Sequence, residues 1–343
     1  MSESIRVRPA RGVEVPMLSK LIRGRLPDMM GGVKKPSMAD IETHLRGLIL
    51  DEALILATRG RHLAGLIAVG LDRAQILACY LDPKVAGPDT TARLFEAAEQ
   101  LALSFGMRTL HCEAKAKVSG FVGKLGYQPA DREPAGRDTV VLGKNLLDIA
   151  TADQRRLLVL QDELGIPEDY GVKHRLRLTP VVERLVSVGA DIFGRDQRLQ
   201  REAAEAWRFM RTGASQHGIE LQLVSAYRAV NYQASIVRRK IEAGEPIGEI
   251  LKTSAAPGYS EHHTGRAIDI STPGSRPLQA EFGDTPAYRW LKANAGTYGF
   301  HESYPMGNRH GIEWEPWHWC YRRQAASERK ETPQFAVVSS TGR

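Results

Sequence analysis

An aspartate set between two isoleucines constrains this chain more than any other feature. In Ala267-Ile-Asp-Ile270 the alternation is that of a strand, so Ile268 and Ile270 point into a core and Asp269 points to the other face. A carboxylate held there needs a positive partner, because an unpaired charge is costly to bury. A metal ion supplies one. The surrounding segment, Pro257-Gly-Tyr-Ser-Glu-His-His-Thr-Gly-Arg-Ala-Ile-Asp-Ile270, also carries Ser260 and His262. Gly265 interrupts it, so His262 and Asp269 are not expected on one helix. His263 is expected to point away, solvated or behind a ligand.

A second segment, Trp314-Glu-Pro-Trp-His-Trp319, adds His318 and Glu315. Pro316 biases Glu315 away from the α region, which predicts a loop or a helix start with Glu315 near the cap. Trp314, Trp317 and Trp319 form an expected dry wall, and desolvation there raises a carboxyl pKa into the range of a general base. Hydrolytic zinc takes three protein ligands and leaves a position for water. His262, Asp269 and His318 supply two nitrogens and an oxygen for one Zn2+, and Glu315 is left as the base for the metal-bound water. The resulting oxyanion needs a donor, and Arg228, directly after the strand that ends in Ser225-Ala-Tyr, is the candidate. His301 and His310 lack a partnering pattern and are read as structural.

A chain of 343 residues predicts two domains. With 42% apolar and 25% charged residues it has the composition of a globular protein. The net charge of +7 suits an acidic substrate or simply a solvated surface. No Lys/Arg block with interleaved aromatics supports nucleic-acid binding, and no apolar run is long enough for a membrane span. Cys79, Cys112 and Cys320 are too scattered for a disulfide framework. The opening Met-Ser-Glu-Ser-Ile-Arg lacks a signal-peptide pattern, so the expected location is cytoplasmic. Oligomeric state is not legible.

Along the chain, Ala53 to Thr58, Leu63 to Gly70 and Ala74 to Leu81 read as strands, Thr91 to Phe105 as a helix capped by Thr90 or Thr91, and Thr109 to Cys112 as a strand. The predicted division is an α/β domain over 1–146, a linker over 147–179, an α+β domain over 180–325 and a polar tail over 326–343. Helices are expected over 181–193 and 196–216, followed by a strand at Glu220 to Ser225.

The second half resembles VanY-type D-alanyl-D-alanine carboxypeptidases, in a superfamily with D-Ala-D-Ala dipeptidases, L-alanyl-D-glutamate endolysins and the Hedgehog signalling domain. The matching stretches are Ser225–Gln233, Pro257–Ile270, Trp290–Pro305 and Glu315–Trp319, in the family's order. The resemblance implies zinc on His262, Asp269 and His318 and a catalytic base at Glu315. It gives Arg228 the scissile carbonyl or the terminal carboxylate, and lines the substrate pocket with Gln233, Ser260 and Tyr304. Cys320 stands where relatives often carry Arg. The implied activity is that of a D,D-carboxypeptidase or D,D-dipeptidase, and the implied substrate is a peptidoglycan-derived precursor or muropeptide ending in D-Ala-D-Ala. Alternatives are an L-alanyl-D-glutamate endopeptidase with the same centre and a non-catalytic zinc module.

Residues 5–146 resemble GNAT-type N-acetyltransferases, which implies a mixed sheet with helices. That family binds acetyl-CoA at a Q/R-x-x-G-x-G/A turn. The aligned stretch here, Ala86-Gly-Pro-Asp-Thr-Thr91, lacks both glycines of the pattern and adds Asp89, and Val122 stands where the family often has Tyr. A degenerate binding or structural module is therefore expected, with a live acetyltransferase using acetyl-CoA as the alternative.

Overall fold

The computed structural model describes residues 4–322 apart from 30–35, 135, 137, 181 and 183. The expected tail over 326–343 lies outside the described residues. The chain forms two compact units, Met1–Leu178 and Thr179–Arg343. Among the described residues no helix is long and apolar enough to cross a membrane.

The first unit runs β1 (Ile5–Pro9), α1 (Val15–Met29), α2 (Met38–Leu50), β2 (Leu54–Arg59), β3 (His62–Gly70), β4 (Gln75–Leu81), α3 (Thr90–Ser104), β5 (Thr109–Lys115), α4 (Ala116–Gly123), β6 (Gln128–Pro129) and β7 (Thr139–Asn145). Its sheet has the order β1-β2-β3-β4-β5-β7-β6. The β4–β5 pair is parallel, through Gln75–His111 and Ile76–Cys112, and α3 makes the crossover. On β2, Ile55 and Ala57 join Leu94, Phe95 and Ala98 of α3 in one core, while Leu54 and Leu56 join Val15, Leu18, Ile41 and Leu45 on the other face. A strand buried on both faces needs no polar side, which explains the unbroken apolar runs of β2 and β3. This is the mixed sheet with helices that the resemblance implied.

The α3 N-terminus differs from expectation. Asp89, not a threonine, is the N-cap and makes no capping bond with its side chain. Thr90 is fully buried, and its Oγ1 accepts a hydrogen bond from Gly87 N at 2.8 Å. One backbone donor of the turn is thus already used internally.

Residues 147–179 are not a bare linker. They carry α5 (Ala152–Glu163) and α6 (Tyr170–Lys173) and belong to the first unit through Leu178. Thr151 and Gln154 form a reciprocal capping box at the start of α5, and Ala150, Leu158 and Val172 pack on the α3-side core.

The second unit opens with β8 (Val186–Ala190) and β9 (Asp196–Leu199), a hairpin where a helix was expected. Val186 and Val188 alternate with Ser187 and Gly189, so the period is two and the valines reach the core. Asp191 closes the hairpin by accepting bonds from Phe193 N, Arg195 N, Arg195 Nε and Gln197 Nε2. The helix α7 starts at Arg201 and ends at Gln216. Its buried face, Ala203, Ala204, Trp207, Met210 and Ala214, packs on β10 (Gln222–Ser225) and β11 (Ala267–Ser271). Then come α8 (Val230–Glu242), α9 (Ile247–Thr253), α10 (Pro286–Asn294), β12 (Phe300–Glu302) and β13 (His318–Tyr321). The sheet is antiparallel with order β10-β11-β13-β12.

Candidate metal centre and active site

Strand register assembles the site. Asp269 on β11 lies directly opposite His318 on β13 and pairs with Ser225 on β10. Residues opposite one another across a sheet share a face, so these three side chains emerge together. Ile268 and Ile270 occupy the other face, in the core with Trp319. His262 comes from the short 3-10 turn Glu261–Thr264 that precedes β11. Gly265 ends that turn with φ +63°, and a Cβ there would lie 2.6 Å from Leu185 and 3.3 Å from Gln200 N. The turn therefore needs glycine for its left-handed conformation, and the Gln200 backbone leaves little room beside it.

His262, Asp269 and His318 are all buried and each offers a ligand atom within 4.8 Å of the others. His262 Nε2 is 3.2 Å from Asp269 Oδ2, and His318 Nδ1 is 3.0 Å from Asp269 Oδ1. His262 Nδ1 is 2.6 Å from Ala226 O. A carbonyl can only accept, so Nδ1 carries the proton and Nε2 keeps its lone pair for the site. Two nitrogens and one carboxylate oxygen on one face are a donor set that fits zinc.

The buried carboxylate and the two histidines perturb one another strongly. Burial alone would raise the pKa of Asp269, but His262 and His318 outweigh it and hold the group well below the usual carboxylate range. Burial alone would lower that of His318, but its bonds to Asp269 and Glu261 raise it to about 10. His262 is lowered by burial, against the pull of Asp269.

Glu315 sits in a turn closed by His318 N donating to Glu315 O at 3.0 Å, and the chain passes straight into β13. No helix starts there. Glu315 Oε2 is 4.0 Å from His318 Nδ1. Burial pushes its carboxyl up to about 7, against the opposing charge of His318. Trp314 and Trp317 line the cavity beside it, whereas Trp319 belongs to the core, so the wall holds two of the three tryptophans.

Arg228, in the β10–α8 loop, donates to Gln233 Oε1 at 2.9 Å and Ser225 Oγ at 3.3 Å, and its Nη2 lies 3.7 Å from Asp269 Oδ2. Gln233 is buried and donates onward to Ala255 O, which makes it a clamp for Arg228. Ser260 and Tyr304 both line the cavity, of about 590 Å3, that opens over His262, Asp269 and His318. Tyr304 stacks on the His318 ring at 5.0 Å.

His263 is not solvated. It is buried, accepts a bond from Gly258 N at 3.1 Å through Nε2, and donates through Nδ1 to Arg228 O at 2.6 Å. Burial lowers its pKa to about 4. It thereby tethers the Arg228 loop to the His262 turn. Two further residues escaped the sequence reading: Glu261, whose Oε2 lies 3.0 Å from His318 Nε2, and Ser303, which donates to the same oxygen at 2.5 Å. His301 stays outside the cluster, on β12, and His310 packs edge-on against Tyr304 at 6.0 Å.

Comparison with known proteins adds relatives to this geometry. A family model described as VanY, D-alanyl-D-alanine carboxypeptidase, matches residues 196–324. YodJ of Bacillus subtilis (strain 168), which carries a carboxypeptidase name, is 37% identical over 135 residues, covering 38% of this chain and 48% of that protein. VanXYC of Enterococcus gallinarum, a bifunctional D-Ala-D-Ala dipeptidase and D-Ala-D-Ala carboxypeptidase, is 30% identical over 133 residues, covering 37% of this chain and 68% of that protein. The chain thus spans about half the length of the first relative and two thirds of the second. Among solved structures, a GCN5-related N-acetyltransferase from Rhodopseudomonas palustris aligns with a TM-score of 0.33 at 18% identity, covering 42% of this chain and 98% of its own.

Proposed function

This chain belongs, through its second unit, to the VanY family of D-alanyl-D-alanine carboxypeptidases, and from that membership we propose that it is a zinc peptidase releasing D-alanine from peptidoglycan-derived peptides that end in D-Ala-D-Ala. The observation that carries the reading is the Asp269–His318 cross-strand pair with His262 Nε2 beside it, buried at the floor of the cavity.

His262, Asp269 and His318 would hold the ion. A zinc ion so held supplies Lewis acidity, polarising the scissile carbonyl and making a water nucleophilic near neutral pH. Glu315 accepts a proton from the attacking water as the carbon–oxygen bond forms. It returns that proton to the departing amine nitrogen as the carbon–nitrogen bond breaks. Its mostly buried position, with Oε2 4.0 Å from His318 Nδ1, supports both roles. Arg228, held by Gln233 and Ser225, meets negative charge either on the carbonyl oxygen or on the terminal carboxylate of the substrate. Ser260 and Tyr304 line the pocket in which the peptide lies.

Products formed from D-Ala-D-Ala, a pentapeptide ending in it, and a whole muropeptide, located by mass, test the reading. Loss of one D-alanine from the pentapeptide is expected. A cut between L-alanine and D-glutamate would reassign the substrate while keeping the centre, and no cut in any of them would end the proposal.

A further inference from the structure

The two histidines of the centre are oriented by different means. His262 is set by a backbone carbonyl, Ala226 O, which no side-chain substitution removes. His318 presents Nδ1 toward Asp269 and Glu315, at 3.0 and 4.0 Å, and turns Nε2 away, toward Glu261 at 3.0 Å. Glu261 is fixed in turn by Ser303 Oγ, which donates to the same Oε2 at 2.5 Å. Ser303 follows Glu302, whose carboxylate takes bonds from Tyr288, Lys292 and Trp314. That end of β12 is anchored on three sides. The His318 ring is further held in plane by stacking on Tyr304.

We propose that Glu261 is a positioning residue for the metal centre: by accepting the Nε2–H of His318 it fixes the tautomer that leaves the Nδ1 lone pair for the ion. An imidazole free to choose would carry its proton on Nδ1, hydrogen-bonded to Asp269, for part of the time, and would then offer the site no lone pair. Acceptors behind metal-bound histidines typically change metal affinity by about 10–100-fold. Glu261 immediately precedes His262, so one short turn supplies both a ligand and the orienter of the ligand on the far strand. The assignment rests on the proposed metal site.

Zinc affinity, measured by competition with a chromophoric chelator on the full chain, tests it without recourse to activity. Glu261→Ala is expected to weaken zinc by about 10–100-fold, with an unchanged circular dichroism spectrum. Glu261→Gln keeps an acceptor oxygen and is expected to stay within about threefold of the parent. Equal losses in both variants would make the carboxylate a ligand rather than an orienter, and equal affinity in the parent and Glu261→Ala would remove the role altogether. Long-range 15N–1H spectra of the zinc-loaded parent need no variant. Nδ1 coordinated with Nε2–H protected is expected, and coordination through Nε2 would overturn the assignment. If the parent binds no zinc, the metal site and this inference fall together, whereas a parent that binds while Glu261→Ala binds as well leaves the metal site standing.

Discussion

Each unit buries charge, and the two do so differently. In the first, Lys144 reaches Glu99 at 2.8 Å and donates again to Leu125 O at 2.9 Å, with the Tyr127 ring beside both. Burial still raises the Glu99 pKa, which marks the pair as one the fold holds against a desolvation cost. In the second, Asp269, His262, His318, Glu315, Glu261 and Arg228 converge on one cavity, and their charges are not paired off one to one. A buried pair serves the packing around it. A convergent cluster, with one carboxyl pushed down and another pushed up to about 7, is the arrangement expected of the proposed metal centre and its base.

Substitutions on the two sides of this contrast have different expected consequences. The largest effect is expected for His318→Ala, which should abolish both zinc binding and D-alanine release, a loss beyond the roughly 10^4-fold that removing a general base can cause. Metal analysis and product assay on the same sample check it. Next is Glu315→Gln, expected to lower kcat by about 10^2–10^4-fold with zinc retained. Glu315 works as a base only when deprotonated, so kcat/KM should rise with pH. A cation beside it lowers its pKa from about 7, so the acidic limb should lie below neutrality, and the variant should lack that limb. Arg228→Ala should follow at about 10^2–10^3-fold. A smaller loss in KM than in kcat would point to the carbonyl oxygen rather than the terminal carboxylate. The smallest effect on activity is expected in the first unit. Lys144→Met should cost about 3 kcal/mol of stability by removing the cation that Glu99 is buried against, read by denaturant unfolding, with kcat unchanged. A large loss of kcat there would erase the distinction between the units.

Much of this was legible in sequence because it rests on short-range periodicity. The Ile268-Asp269-Ile270 alternation gives the strand and the direction of the carboxylate, and His262 and His318 stand out by the residue types of their own short segments. The apolar runs of β2 and β3 and the periodic face of α3 were equally local. Where local signals conflict, the reading failed. At 181–193 the β-branched alternation of Val186 and Val188 outweighed the helical look of the segment. Over 147–179 the apolar spacing is weak although Leu158 and Tyr170 are buried, and the Thr151–Gln154 capping box was the signal that could have found α5. Glu261 and Ser303 were illegible for a different reason. Their partners are distant in sequence, and the contacts exist only because β12 and the 3-10 turn meet around His318.

The second unit is proposed to be a metal-dependent peptidase. D-alanine released from a pentapeptide ending in D-Ala-D-Ala, measured for the chelator-stripped chain and again after one equivalent of zinc, tests it most directly. The stripped protein is expected to be silent and the zinc-restored protein to release one D-alanine per peptide. Equal release in both states, or none after zinc has bound at one equivalent, would contradict it.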